Sequence, residues 1–166
     1  MDSAVARVQL YFPQPSKQTV FDAGSTAHTI SFLRLKGLLR IGRRCLLHDG
    51  LFDTGAALTT MPFSVWSHFQ DVIEWLDVPA SPVPSVWWTT VSGSTGGKLN
   101  CRLGKIAVEM FDLSGNVLAP LPVVCKFIDN SGSLPLVILL GLSHGVLQGR
   151  RLHLDVDARE AWIEDR

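Results

Sequence analysis

An excess of one charge, paired cysteines and long apolar runs are all missing from this 166-residue chain. Fifteen Lys and Arg residues balance fifteen Asp and Glu residues, so the net charge offers no attraction to nucleic acid or to an anionic membrane. The longest apolar run, residues 134–140, is interrupted by Pro135 and is too short to cross a bilayer. Charges and prolines break up the first thirty residues, so no signal peptide is expected. We therefore expect a soluble, cytoplasmic protein that binds neither nucleic acid nor membranes.

Metal-binding patterns are also absent from the sequence. The three cysteines, Cys45, Cys101 and Cys125, are odd in number and far apart, and no pair forms a CxxC motif. None of the five histidines has a ligand-like spacing to another one. We expect no metal, no cofactor and a reducing compartment.

The composition that remains is that of a globular protein. Apolar residues make up 46% of the chain and charged residues 18%, and the length suits one domain with a short arm. Breaker clusters with Pro13, Pro15 and Gly24 fill much of the beginning. We divide the chain into an N-terminal arm, residues 1–28, and a domain, residues 29–166.

Short apolar or alternating runs separated by Gly-containing turns predict a mostly β fold. Turns are expected at Lys36-Gly37 and near Gly42, and one helix is expected over residues 62–76 with a shorter one over 143–147. The predicted strands cover residues 8–12, 30–35, 38–41, 45–52, 86–91, 99–103, 106–111, 121–128, 137–140, 152–156 and 161–163.

Residues 51–56, Leu-Phe-Asp-Thr-Gly-Ala, place a carboxylate, a hydroxyl and a glycine in a row after an apolar run. The hydroxyl can hydrogen-bond within a turn, and the glycine lets another backbone approach closely. Taken alone, the three residues also fit an aspartate that caps its own turn. The motif occurs once in the chain.

The surroundings of this motif resemble those of the retropepsin-like aspartic peptidases, the single-lobe family of the retroviral proteases and their cellular relatives. A predicted hairpin, residues 30–41 and 45–52, precedes the motif. A glycine-rich loop at 92–97 follows where the family has its flap, and residues 137–142 match the family's second signature of apolar residues and glycine. The resemblance covers roughly residues 29–164. It implies a closed β-barrel-like acid-protease single lobe with one or two short helices.

The resemblance also implies roles for individual residues. Asp53 corresponds to the catalytic carboxylate, Thr54 to the hydroxyl that locks two active-site loops together, and Gly55 to the site of close substrate approach. Residues 139–141 correspond to the segment that packs beneath the aspartate loop. The implied substrate-binding residues are Ala56, Val91, Ser92, Gly93, Ser94, Thr95, Gly96 and Gly97.

The implied activity is hydrolysis of peptide bonds in a peptide or protein substrate by a water molecule. Two neighbouring carboxylates share one proton, so that one takes a proton from water while the other donates to the scissile carbonyl. Since each chain has one motif, the second carboxylate is expected from Asp53 of a second copy in an isologous homodimer.

Three points stay open in the sequence. The flap tip has no aromatic residue, while Trp87 and Trp88 at its base suit either substrate pockets or packing. Residues 1–28 suit a pro-segment, a dimer strap or a disordered segment. The alternatives to a homodimeric enzyme are a catalytically silent dimerisation or peptide-binding module, and a chain whose activity needs a larger polyprotein or partner domain.

Other charged residues have simpler interpretations. Asp49 is expected in a turn with Gly50, with an effect on the field at Asp53 as the alternative. The cluster Arg40, Arg43 and Arg44 and the pair Arg150-Arg151 are expected on solvated strand edges or turns rather than at a phosphate site.

Overall fold

The computed structural model describes residues 6–21, 24, 27–42, 46–53, 56–76, 87–90, 98–128 and 137–166. These residues are mostly in strands, which confirms the predicted fold class. The described strands are β1 Arg7–Gln9, β2 Ser16–Phe21, β3 Ala27–Phe32, β4 Lys36–Ile41, β5 Leu46–Phe52, β6 Thr59–Met61, β7 Glu74–Trp75, β8 Trp87–Thr90, β9 Lys98–Phe111, β10 Val117–Ile128, β11 Ile138–Leu140, β12 Arg150–Asp155 and β13 Glu160–Asp165. Helix α1 spans Phe63–Trp66, and a 3-10 helix spans Gln70–Val72.

Six of these strands close into a barrel. Their order is β10, β6, β11, β5, β4 and β9, and pairing of β9 with β10 completes the ring. Strand β11 runs parallel to β5, and the other neighbour of β11, strand β6, runs antiparallel to it. Strands β7 and β8 pair with β9 beside the ring. The barrel interior holds the apolar core. Because the ring is closed, each of these six strands has a hydrogen-bonded neighbour on both sides.

The N-terminal strand belongs to a second, three-stranded sheet with the terminal hairpin. Strand β1 pairs with β13. Strand β13 also pairs with β12, and this terminal hairpin is the one that the alternation at the end of the sequence predicts. Val8 and Leu10 lie in the same apolar cluster as the barrel residues, so part of the predicted arm packs into the core. The division between residues 28 and 29 stays a prediction.

The terminal hairpin is attached to the barrel by Arg150, which the sequence placed in solvent. The side chain is buried and donates to Asp165, to the carbonyl of Val146 and to the carbonyl of Ala119. The prediction that Arg150 is solvated is therefore wrong. Three hydrogen-bond acceptors within the protein take the place of the water that would otherwise solvate its guanidinium group. Arg40 is partly exposed and pairs with Glu109.

Two glycines that suggested breaks instead lie inside strands. The turn predicted at Lys36-Gly37 is wrong, since both residues belong to β4. A Cβ at Gly37 would lie 2.6 Å from the Met110 side chain, so the glycine serves packing. The strands predicted over 99–103 and 106–111 are one strand, β9, which runs through Gly104. A Cβ there would lie 2.9 Å from the Phe127 ring.

The turn predicted near Gly42 is confirmed, and the glycine adopts a φ of +63°. The two helix predictions are less accurate. Instead of one helix over 62–76, the chain forms α1, the 3-10 turn and β7, because Ile73 is extended and β7 pairs with β9. Residues 143–147 form turns rather than a helix, and His144 has a φ of +48°.

Strands β2 and β3 form a separate two-stranded sheet, which we call the ribbon. Its register runs from Ser16 opposite Phe32 to Phe21 opposite Ala27. Among the described residues, no third strand pairs with either edge of the ribbon. A two-stranded sheet of this kind is marginally stable by itself in water.

In the described part of the chain, no helix combines the length and the apolar character that crossing a bilayer requires.

Candidate active site

Asp53 lies directly after strand β5, at the point where β5 and the parallel strand β11 end together. The pairing of Phe52 with Leu140 is the last one in the register. The backbone N–H of Asp53 donates to the Leu140 carbonyl at 3.2 Å, so the aspartate is attached to β11 although it is outside the strand. The residue is half-buried. Its backbone position is therefore defined by the barrel.

The loop after Asp53 turns back tightly. The N–H of Ala56 donates to the carbonyl of Asp53 at 3.2 Å. A hydrogen bond from residue i+3 back to residue i is typical of a β-turn. Thr54 and Gly55 are outside the described part of the chain. The turn nevertheless fixes where the aspartate loop begins and ends.

Three hydrogen bonds join the aspartate loop to the segment after β11. The N–H of Leu142 donates to Ala56 at 3.2 Å, and the N–H of Ser143 donates to Ala57 at 2.9 Å. The third bond runs to the start of strand β6, where the hydroxyl oxygen of Thr59 accepts from the N–H of Gly141 at 3.3 Å. Since Thr59 and Gly141 are buried, their bond replaces water that cannot reach either group.

The same contact explains why residue 141 is a glycine. A Cβ at Gly141 would lie 2.3 Å from the backbone carbonyl carbon of Leu58 and 2.7 Å from its oxygen. Gly145 has a similar constraint, since its Cβ would lie 2.6 Å from the Gly141 oxygen. Backbone atoms cannot move aside as the end of a flexible side chain can, so the two loops touch in a way that only glycine permits.

The other flank of Asp53 is held by the strand that follows the ribbon. The N–H of Phe52, one residue before Asp53, donates to the carbonyl of Leu35 at 2.8 Å. Lys36 then exchanges two backbone hydrogen bonds with Tyr11, at 2.9 and 3.0 Å. The base of the ribbon therefore lies beside the aspartate loop.

Two charged side chains, Lys36 and Asp49, lie at the base of the ribbon. Lys36 forms an ion pair with Asp49, and its hydrogen bond holds the pKa of the Asp49 carboxyl below the ordinary value. Partial burial, together with Asp49, raises the pKa of the Tyr11 phenol. The turn predicted for Asp49 with Gly50 is wrong, because both residues lie inside β5. The carboxylate faces a lysine across the β4–β5 pair instead.

The structure describes two of the predicted site residues, Asp53 and Ala56, and brings both against the end of β11. Residues 139–141 lie next to the aspartate loop, as the second signature implied. Thr54, Gly55 and the loop formed by Val91, Ser92, Gly93, Ser94, Thr95, Gly96 and Gly97 are outside the described residues. The antiparallel pair β8–β9 leads to both ends of that loop. The catalytic and substrate-binding roles of all these predicted site residues stay predictions.

Sequence reasoning gave no role to Thr59 or to Leu35. Thr59 is a hydroxyl residue between Leu58 and Met61 in a buried segment, and a buried hydroxyl needs a hydrogen-bond partner. This rule could have indicated that the Thr59 hydroxyl forms a hydrogen bond within the protein. Leu35 acts through its backbone carbonyl, which side-chain identity does not reveal.

Among the described residues, no group of three or more His, Cys, Asp and Glu side chains is arranged to hold a metal ion. Cys101 and Cys125 are buried, and burial raises the pKa of the Cys125 thiol far above its ordinary value. A thiol that stays protonated is a poor nucleophile.

Comparison with known proteins gives little beyond this geometry. None of the protein-family models matches the chain, and none of the curated proteins matches it. One similar solved structure is that of a retropepsin-like aspartic protease from Rickettsia conorii, at 9% sequence identity and a TM-score of 0.47. The alignment covers 92% of this chain and 96% of that one. A likeness this weak carries no argument for a shared activity.

Proposed function

We propose that the chain is an aspartic endopeptidase that acts as a homodimer and hydrolyses peptide bonds with two Asp53 carboxylates. The observation that carries the proposal is the attachment of Asp53 to the end of β11 through the Leu140 carbonyl. The bonds from Gly141, Leu142 and Ser143 hold the loop that follows. A catalytic carboxylate needs such a fixed backbone, because small displacements of a reacting group cost large factors in rate.

The proposed chemistry uses one carboxylate from each copy. Two aspartates in contact cannot both ionise easily, so they share a proton and titrate as a pair. The ionised member takes a proton from water, and the protonated member donates to the carbonyl oxygen of the scissile bond. The water oxygen bonds to the carbonyl carbon and gives a gem-diol. The C–N bond then breaks as the amine nitrogen takes the proton that the first carboxylate received from water, and the second carboxylate regains its proton from a gem-diol hydroxyl.

The substrate class follows from the proposed site. An extended peptide lies between the floor formed by the two aspartate loops and the hairpin β8–β9, and it binds mainly through its backbone. We propose that apolar side chains are preferred, since the sequence of the loop at 91–97 contains no charged residue.

The direct test of the proposal is Asp53→Asn in a digest of a peptide library. Asparagine keeps the shape of the side chain but can neither share the proton nor act as the base. We expect the cleavage rate to fall by about 10²- to 10⁴-fold, the range of general acid–base contributions. Asp157→Asn, in the exposed turn of the terminal hairpin, is the matched control and should retain activity. Undiminished cleavage by Asp53→Asn would disprove the proposal.

Mixing the two forms tests the need for two carboxylates. When excess Asp53→Asn chain is added to a fixed amount of unmodified chain, mixed dimers form and activity should fall toward zero. Adding Asp157→Asn chain should not reduce it. An activity that is unaffected by Asp53→Asn chain would mean that each copy works alone, which contradicts the dimeric mechanism.

A further inference from the structure

Residues 16–32, the ribbon, are not explained by the barrel or by the proposed chemistry. Strands β2 and β3 have each other as their main neighbour, and no other described element forms a comparable contact with them. Lys17, Thr19, Ala27, His28 and Thr29 are exposed. A two-stranded sheet with both edges open is marginally stable in water, so this one gains from a second surface.

The position of the ribbon indicates which surface is available. Its base is the pair Tyr11–Lys36, and the adjoining carbonyl of Leu35 accepts a hydrogen bond from Phe52. Phe52 precedes Asp53, so the ribbon begins beside the aspartate loop. Strand β4 starts at this end of the barrel and runs away from it, opposite to β5. The ribbon, which precedes β4, therefore extends beyond the end of the barrel at which Asp53 lies.

We propose that the ribbon is a dimerisation arm that packs on a second copy of this chain. The inference rests on the proposed function, in which the two Asp53 carboxylates meet on a two-fold axis. An element that begins beside Asp53 also begins close to that axis. Each ribbon strand has six residues and is about 20 Å long at 3.3–3.4 Å per residue, long enough to reach across the axis onto the partner. By symmetry, two arms contribute to one interface.

The arm also accounts for the tight attachment of its base. A dimerisation element stabilises an active site only if it is coupled to that site. Here the coupling runs through two consecutive backbone contacts, from Tyr11 and Lys36 to Leu35 and then to Phe52. Binding of the partner to the ribbon therefore orders the strand that flanks Asp53.

Removing the ribbon tests the proposal. Ser16 and Phe32 are opposite each other in the register, so residues 16–32 can be replaced by an Asn-Gly turn that joins Pro15 to Leu33. Analytical ultracentrifugation of the full chain and of this variant gives the two dimer dissociation constants. We expect the constant to rise by about tenfold or more, which is about 1.4 kcal/mol of association free energy. Activity should return when the variant is concentrated above its new dissociation constant.

A second variant keeps the ribbon intact and is independent of the deletion. Thr29→Cys places a thiol on the exposed ribbon, and Ser64→Cys places one on the exposed face of α1 as the matched control. After labelling with a benzophenone maleimide and illumination, which joins the label to any protein surface in contact, Thr29→Cys should give covalent dimers in far higher yield than Ser64→Cys or the unmodified chain. Equal yields at the two positions would overturn the proposal.

The outcomes separate this proposal from the proposed function. If the unmodified chain is monomeric and inactive, the homodimeric enzyme itself is wrong. If it is dimeric and active but the ribbon deletion leaves the dissociation constant unchanged, the enzyme stands and the arm is refuted. A raised KM with unchanged dimerisation would also refute the arm, because the ribbon would then contact the substrate instead.

Discussion

The two ends of strand β5 are held in place by different means. At the end where Asp53 lies, the contacts are backbone hydrogen bonds to β11 and the loop after it, supported by Gly141. Toward the start of the strand, the contacts are between packed side chains. The His48 ring meets the Phe69 ring edge-on, with centroids 5.9 Å apart and an interplanar angle of 87°, and Phe69 is fully buried beside Gly42.

This difference separates the position of the carboxylate from the closure of the barrel. Backbone hydrogen bonds fix the aspartate loop whatever side chains its neighbours carry, except where contact requires a glycine or a particular hydroxyl. Aromatic packing at the other end responds to side-chain volume and to protonation. Substitutions at the Asp53 end should therefore affect catalysis and stability together, whereas those at the His48 end should affect stability alone.

The largest effect is expected for Gly141→Ala. The added Cβ would lie 2.3 Å from the Leu58 carbonyl carbon, so the two loops must separate. We expect a loss of stability of about 3 kcal/mol or more, with loss of cleavage even in the fraction that folds. Urea denaturation and a peptide digest on the same sample give both quantities. Gly24→Ala is the control, because no atom of the described residues lies within 4 Å of a Cβ there. Equal behaviour of the two variants would contradict the contact.

A smaller effect is expected for Thr59→Val. Valine has the shape of threonine but leaves the buried N–H of Gly141 without its acceptor. We expect a cost of about 1–3 kcal/mol, the range for a buried unsatisfied donor. Thr59→Ser retains the hydroxyl oxygen and should recover most of the loss. The urea midpoints of the three proteins measure this. If serine and valine cost the same, the methyl group rather than the hydrogen bond is what matters.

Much of this arrangement was accessible from the sequence. The apolar run before Gly141 predicted β11, because strands buried on both sides carry no polar alternation. The apolar residues on either side of His48-Asp49 predicted β5. Their parallel pairing was implied by the family resemblance and not by the pattern itself. Periodicity gives strand positions, but it does not give the partner of a strand.

The errors share a physical cause. Gly37 and Gly104 were taken as turn or break signals, yet each serves close packing inside a strand. The residues Val65, Phe69 and Ile73 have helical spacing, yet a single α turn, a 3-10 turn and a β pairing bury Phe69 and Ile73 and partly bury Val65. Local patterns record which residues need burial, while the neighbouring strands decide which backbone buries them.

The smallest expected effect concerns the pH dependence at the His48 end. Burial lowers the pKa of the His48 imidazole below its ordinary value, while Asp49 opposes the shift and His68 adds to it. The Nε2 atom is buried and has no hydrogen-bond partner among the described residues. The folded protein therefore favours the neutral ring, and the unfolded chain binds more protons at mildly acidic pH.

The sign of the effect follows from this difference in proton binding. The contribution of His48 to the free energy of unfolding is fully present above the pKa of the unfolded chain, about 6.5. It declines as the pH falls from there toward the lower pKa of the folded protein. Urea unfolding between pH 8 and pH 5 measures this decline, and His48→Leu should reduce it because no proton can bind at that position. The neighbouring Asp49–Lys36 pair loses its contribution only at lower pH, where carboxylates protonate. If His48→Leu leaves the slope between pH 8 and pH 5 unchanged, burial of His48 is not what couples that end of the barrel to pH.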